Sequence, residues 1–164
     1  MKLERTTVHF TDPLGSFEHT SYRLEEALVA LVVSAKSSIT LLSYSLPTWS
    51  RDWFLAGALE QALARGVSVK VYSHQYSNVA RLVSRYRDRF DIAGWHWNEA
   101  DGDLFHIKGI MIDDVKLYLG SANLSKNGIA HSAEWGVVTT SPDLCLELNR
   151  YTAYLISNRK LSEV

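Results

Sequence analysis

The sequence predicts an α/β domain, a mixed β-sheet flanked by helices on both faces. Three observations predict it. Short apolar or β-branched runs alternate with amphipathic segments as far as residue 97, the rhythm of strands joined by covering helices. Beyond residue 104 the runs follow one another across gaps too short for a helix, which implies hairpins and hence a mixed sheet. The chain has 164 residues and is 46% hydrophobic, enough for one sizeable core.

The elements follow in order. Residues 6–10, TTVHF, read as the first strand, and a loop follows. A helix is expected from about Ser21 to Ala35, because Leu24, Leu28, Leu31 and Ala35 recur on one face. Residues 37–44 form a nearly all-apolar strand that Pro47 helps to end. The second helix starts near Ser50 and stops at Gly66, with Leu55, Leu59 and Ala62 as its inner stripe. Residues 67–73 are the third strand, 79–89 a third helix and 92–97 a fourth strand. Two further strands, 104–113 and 115–120, are separated by Asp113 and Asp114, a pair suited to a tight turn. Residues 133–140 give another strand, and Pro142 opens a last helix reaching about Ser157. No repeat, linker or low-complexity tract interrupts this order, so residues 1–164 are read as one catalytic domain.

Composition narrows the classes. No run approaches 18 apolar residues and the N-terminus lacks an apolar leader core, so no membrane span is expected and the cytoplasm is the default location. The single cysteine, Cys145, cannot form an internal disulfide and reads as a buried thiol. The net charge of -1 is low for a freely scanning nucleic-acid binder, although a local basic patch remains compatible with it. Arg81, Arg85, Arg87 and Arg89 cluster in one segment, either as a solvated helix face or as a phosphate-backbone surface. Five tryptophans and eight tyrosines are present. Among them Tyr44, Trp49 and Trp53 divide between core or interface packing and substrate contact.

The chemistry concentrates in residues 105–128. His106 and Lys108 are two apart in a strand-like run, so both side chains share a face while Phe105 and Ile107 point into a core layer. Two cationic groups side by side make a poor structural face, but they can hold a phosphate beside a nucleophile. Beyond the turn, Ser121 and Asn123 are again two apart after Gly120, and both can donate to phosphate oxygens. Each residue has a plainer reading: a structural histidine, a solvated lysine, a turn-capping asparagine. Their company at fixed spacing outweighs these.

The spacing resembles the phospholipase D-like superfamily. Its signature runs His-x-Lys, four residues, Asp, six residues, Gly-Ser-x-Asn, and His106, Lys108, Asp113, Gly120, Ser121 and Asn123 match it throughout. The resemblance implies a phospholipase D-like fold and a nuclease-type phosphodiesterase without cofactor or metal. It makes His106 the nucleophile that forms a phosphohistidine. Lys108 and Asn123 then bind the phosphoryl oxygens, and Ser121 supports the intermediate. Glu134 accepts a hydrogen bond from Nδ1 of His106. Asp113 completes the signature, as a site-shaping residue or merely as a turn residue.

The mechanism needs one histidine to attack and another to protonate the leaving oxygen. The chain carries one His-x-Lys motif, and His9, His19, His74, His96 and His131 stand in no such frame. Single-motif members of the superfamily pair about a two-fold axis through the site, so a homodimer is implied. A metal site built from His96, Asp101, Asp103 and His106 would place Lys108 unfavourably beside a cation. Nucleic acid is the expected substrate, since small single-motif members are typically nucleases. The acidic run Asn98–Phe105 counts against that choice. The alternatives are a phospholipid or other small phosphodiester, and a catalytically silent dimeric binding or assembly module.

Overall fold

The computed structural model describes residues 5–11, 13–14, 23–47, 52–100 and 102–164, with the Ala130 side chain excepted. One eight-stranded sheet organises the chain. Its strands are β1 (Thr6–Phe10), β2 (Ser38–Ser43), β3 (Ser68–Ser73), β4 (Ile92–Trp97), β5 (Gly109–Ile112), β6 (Lys116–Gly120), β7 (Trp135–Thr140) and β8 (Leu161–Glu163). Its helices are α1 (Leu24–Val33), α2 (Ala56–Ala64), α3 (Tyr76–Tyr86) and α4 (Pro142–Ser157), and a π-helical turn spans Asn127–His131.

The strand order is β1-β7-β6-β5-β2-β3-β4-β8. β2, β3 and β4 are parallel neighbours, as the helical crossovers require, while β5, β6 and β7 follow as antiparallel hairpins. β1 departs from the simple rhythm. It pairs antiparallel with β7 at the far edge of the sheet, with three strands between it and β2. Alternation in a sequence gives the face of a strand, not its neighbour, so this placement was not legible.

Strand alternation divides the core. Ile39, Leu41, Val69, Val71, Ile110 and Ile112 face a large layer shared with α1, α2 and α3. On the opposite face, Leu42, Tyr72 and Phe105 meet Leu155 of α4, and Met111 and Leu117 meet Cys145 of the same helix. The cysteine is fully buried, and burial first, then the nearby Asp114 charge, push its thiol up to about 11.

Several boundaries shift. α2 begins at Ala56 rather than near Ser50, and α3 begins at Tyr76 rather than Val79. The expected strand 104–113 is laddered only over Gly109–Ile112. Residues 103–108 lie outside the ladder, yet Phe105 and Ile107 still enter the α4 layer. The hairpin turn is as expected: Asp113 and Asp114 have φ of 54° and 53°, and Val115 N–H donates to the Ile112 carbonyl at 3.0 Å. Two consecutive left-handed residues define the hairpin turn that matches strand twist.

The ring of Tyr118 lies where Gly120 and Gly136 leave room. A Cβ on Gly136 would sit 2.2 Å from Tyr118 Cε2, and one on Gly120 would sit 2.3 Å from the Tyr118 hydroxyl. The glycine in the Gly-Ser-x-Asn run therefore has a packing reason. Gly136→Ala should lower stability in urea unfolding by about 1–3 kcal/mol, the usual cost of overpacking a rigid core. Tyr118→Leu in the same chain should recover part of that loss, because it removes the ring the methyl strikes.

Candidate active site

Strand ends bring the chemical groups together. The C-terminal ends of β2, β3 and β6, the N-terminal end of β7 and the segment leading into β5 lie along one edge of the sheet. His106 is exposed there, and Lys108 is only 7% exposed. The Lys108 ammonium lies 2.8 Å from Nδ1 and 3.0 Å from Nε2 of His106, and donates to the His106 carbonyl at 2.9 Å. Burial depresses the pKa of Lys108, while the charge of Glu134 acts in the opposite direction.

Asn123 is oriented by its oxygen. Its Oδ1 accepts from Ser45 N–H at 3.3 Å and lies 3.5 Å from the donating Ser43 hydroxyl. An amide whose oxygen is tied to the β2 loop presents its NH₂ for other duties. The following residue is fixed twice: Leu124 N–H donates to Ser43 Oγ at 3.0 Å, and its carbonyl accepts from Trp53 Nε1 at 2.8 Å. Gly128 of the π-helical turn closes on the same loop, and a Cβ there would meet the Asn123 carbonyl oxygen at 2.5 Å.

Ser121 donates to Glu134 Oε2 and receives Trp135 N–H at 3.2 Å. The Glu134 backbone is held from β1's end, its N–H donating to Thr11 Oγ1 at 2.7 Å. The structure thus corrects one expectation. The carboxylate of Glu134 takes its hydrogen bond from Ser121, not from His106. The ring that lies against His106 is Tyr44, at 5.1 Å between centroids. Tyr44 also stacks on His74 at 4.9 Å.

Residues 28–156 match the family model described as cardiolipin synthase, PLD-like domain. The chain belongs to the PLD-like family. It is 29% identical over 141 residues to the DISARM protein DrmC of Bacillus paralicheniformis, spanning 82% of this chain and 58% of that protein. It is also 34% identical over 91 residues to phospholipase D Z of Dictyostelium discoideum, spanning 49% of this chain and 20% of that one. The chain thus spans little more than half the length, or less, of these curated relatives. Among solved structures, its fold is similar to Nuc of Salmonella typhimurium, a phospholipase D family member (TM-score 0.73, 22% identity, 98% of both chains). It is also similar to NucT of Helicobacter pylori (TM-score 0.67, 21% identity, 94% of this chain and 96% of that one). Phosphatidylserine synthase of Haemophilus influenzae matches with TM-score 0.72 and 14% identity over all of this chain but 41% of its own.

Within this PLD-like fold the remaining expected residues separate. Asp113 stands at the far end of β5 from Lys108 and belongs to no catalytic cluster. Its carboxylate accepts from the N–H groups of Lys36, Ser37 and Ser38 and from the Ser37 hydroxyl. Of its two expected roles, site-shaping or turn residue, these bonds fit the second: it fastens the hairpin turn to the start of β2. Trp53 is 5% exposed and is a core residue supporting the Asn123 loop, not a surface contact. Trp49 lies outside the described residues, as does Asp101 of the imagined metal cluster. Asp103 of that cluster is committed to Lys160, Trp97 Nε1 and Ala100 N–H. Among the described residues no three potential ligands come together as a metal site, and no helix is long and apolar enough to cross a membrane. Arg81, Arg85, Arg87 and Arg89 are exposed, with Arg87 bonded to the Val164 carbonyl at 2.7 Å.

Sequence reading missed His74, Ser43 and Ser73. Both serines are fully buried, and Ser73 Oγ donates to the Tyr44 carbonyl at 3.1 Å. Their signal was faint but present: each closes a strand with a hydroxyl directly after apolar or aromatic residues.

Asp113 yields a pH prediction. Burial would raise its pKa, but the bonds from Ser38, Ser37 and Lys36 prevail and bring it to about 2. The folded value lies below the ordinary value of about 4, so the stabilisation is complete above about pH 4 and is lost as pH falls toward 2. With allowance for solvent screening it is worth about 1–2 kcal/mol. Asp113→Asn should lower stability at pH 7 by that amount and flatten the acid limb between pH 4 and 2. Turnover of the folded protein should stay near wild type, as equilibrium unfolding paired with an activity assay would show.

Proposed function

We propose that this protein is a phosphodiesterase of the nuclease type that works through a phosphohistidine on His106 in a site shared by two chains. The observation that carries the reading is the buried Lys108 ammonium beside an exposed imidazole, with the Asn123 amide tethered by its oxygen nearby. A buried cation without a carboxylate bonded to it favours an anion at that place.

A ring nitrogen of His106 attacks phosphorus as the P–O bond to the leaving alkoxide breaks. The leaving oxygen takes a proton from the partner subunit's His106. That ring, now neutral, accepts a proton from water as the water oxygen attacks phosphorus and the N–P bond breaks. Lys108 and the Asn123 NH₂ stabilise charge on the non-bridging oxygens. Ser121 and Glu134 support the site as a hydrogen-bonded pair. Residues of this chain supply both charge and proton transfer, so no metal step is needed.

Two further observations support the reading. Beside the site, Val8, Leu119 and Trp135 are 40%, 40% and 54% exposed on neighbouring strands, an apolar surface suited to a second copy of this chain. The acidic loop is also less repulsive to nucleic acid than its composition implies. Asp103 is paired with Lys160. The fold likeness to Nuc and NucT, along nearly the whole of both chains, supports a nuclease-type PLD-like domain.

Hydrolysis of DNA, RNA, phospholipid and an aryl phosphodiester in excess EDTA tests the substrate. Nucleic acid should be cleaved and phospholipid should not. Complete loss in EDTA with recovery on adding magnesium would refute the metal-free route, and no turnover on any substrate would indicate a silent module. Mixing wild-type with His106→Ala chains tests the shared site. Activity should fall as the square of the wild-type fraction once mixed dimers are confirmed by mass spectrometry. A linear fall would mean independent sites.

A further inference from the structure

The groups that set the plane of the His106 ring come from an unexpected quarter. Glu134 is bonded to Ser121. Lys108 lies within reach of both ring nitrogens, but an ammonium on a flexible stem does not define a ring plane. Tyr44 does: its ring lies 5.1 Å from that of His106 at an interplanar angle of 53°. Behind Tyr44, the ring of His74 stacks at 4.9 Å and 24°. His74 is itself fixed from two sides. Phe105 N–H, one residue before His106, points to Nδ1 at a long 3.5 Å, which leaves the proton on Nε2. Nε2 faces Glu99 Oε2 at 3.6 Å, and the imidazole is only 13% exposed.

We propose that His74 is a positioning residue for His106. Held by Glu99 and by the Phe105 amide, it fixes the Tyr44 ring against which the His106 imidazole lies. The assignment rests on His106 being the nucleophile. It adds a second functional histidine to each chain, one that never touches phosphorus. The two contacts act on the same short segment, one through the ring of His106 and one through the backbone just before it. A ring aimed in this way reaches the in-line geometry without rotating on attack. Only the ring of Tyr44 is used, not its hydroxyl. The backbone of Tyr44 is anchored separately by Ser73 Oγ, so the loop should persist when the stack is broken.

The test compares Tyr44→Phe, Tyr44→Ala, His74→Ala, His74→Phe and Glu99→Gln, with kcat and KM read on an aryl phosphodiester. The His106 Hε1 resonance is read in the resting protein and assigned with His106→Ala. Tyr44→Phe, which keeps the ring, should lose far less kcat than Tyr44→Ala. Tyr44→Ala and His74→Ala should each lower kcat about 10–100-fold with KM little changed, the cost of a misaimed group. The Tyr44→Ala/His74→Ala double variant should fall no further than either alone, since both break one chain of contacts. His74→Phe, which keeps a ring in the stack, should restore part of the loss. Glu99→Gln changes an exposed side chain that cannot unfold the domain, and it should give a smaller fall in kcat. The His106 Hε1 resonance should move in both alanine variants and stay in place in Tyr44→Phe. Wild-type kcat in His74→Ala, additive losses in the double variant, or an unmoved Hε1 resonance would overturn the proposal. The resonance is measured without substrate. Absence of turnover in every protein, with the resonance moving as expected, would therefore count against the nucleophile reading and leave the positioning chain standing.

Discussion

One constraint governs the site: a lysine ammonium is kept almost out of water. Lys108 is 7% exposed, and its nearest partners are a carbonyl and an imidazole, neither of which carries a compensating negative charge. Burying an ammonium in this way costs free energy, which appears as the depressed pKa of Lys108. Glu134 opposes the depression, but it spends a hydrogen bond on Ser121. What remains is an unsatisfied demand for negative charge beside His106. In the proposed function a phosphoryl group meets it, most fully when its oxygens carry the charge of a transition state.

That arrangement survives because the surrounding edge is stitched by polar bonds rather than by ladder pairing. Strands stop at this edge, so their last groups need other partners. Ser43 and Ser73, fully buried, bind the β2 loop to the β6 loop and to the end of β3. Trp53 reaches from the core to the Leu124 carbonyl, and Thr11 holds the backbone of Glu134. Each bond is modest, about 1 kcal/mol net, but an unpaired buried partner costs more than its bond contributes. The site is therefore precise because its supports cannot be removed one at a time without leaving a buried orphan.

Much of this was legible in the sequence, and the rest failed for identifiable reasons. The parallel crossovers, the hairpin at Asp113–Asp114 and the α4 helix all carry local signals that agree with tertiary packing. His106, Lys108, Ser121 and Asn123 were legible because two strand-like runs joined by a tight turn bring fixed spacings together. His74 was not, because it reaches the site from β3, 31 residues from Phe105, through a crossover that leaves no spacing rule. β1 and β8 sit at sheet edges chosen by packing rather than by sequence neighbours. Asp113 divides differently. The sequence leaves it as a site-shaping residue or a turn residue, and only the fold shows an aspartate at positive φ accepting three backbone amides at the far end of β5.

In the proposed shared site a two-fold axis imposes one more condition. Two identical rings must take opposite roles, one neutral to attack and one protonated to donate. The same surroundings recur around both rings, so neither chain can assign the roles by itself. The asymmetry must then come from the substrate, whose attacked phosphorus faces one ring and whose leaving oxygen faces the other. Binding orientation alone would assign the roles, and a phosphodiester bound the other way round would exchange them.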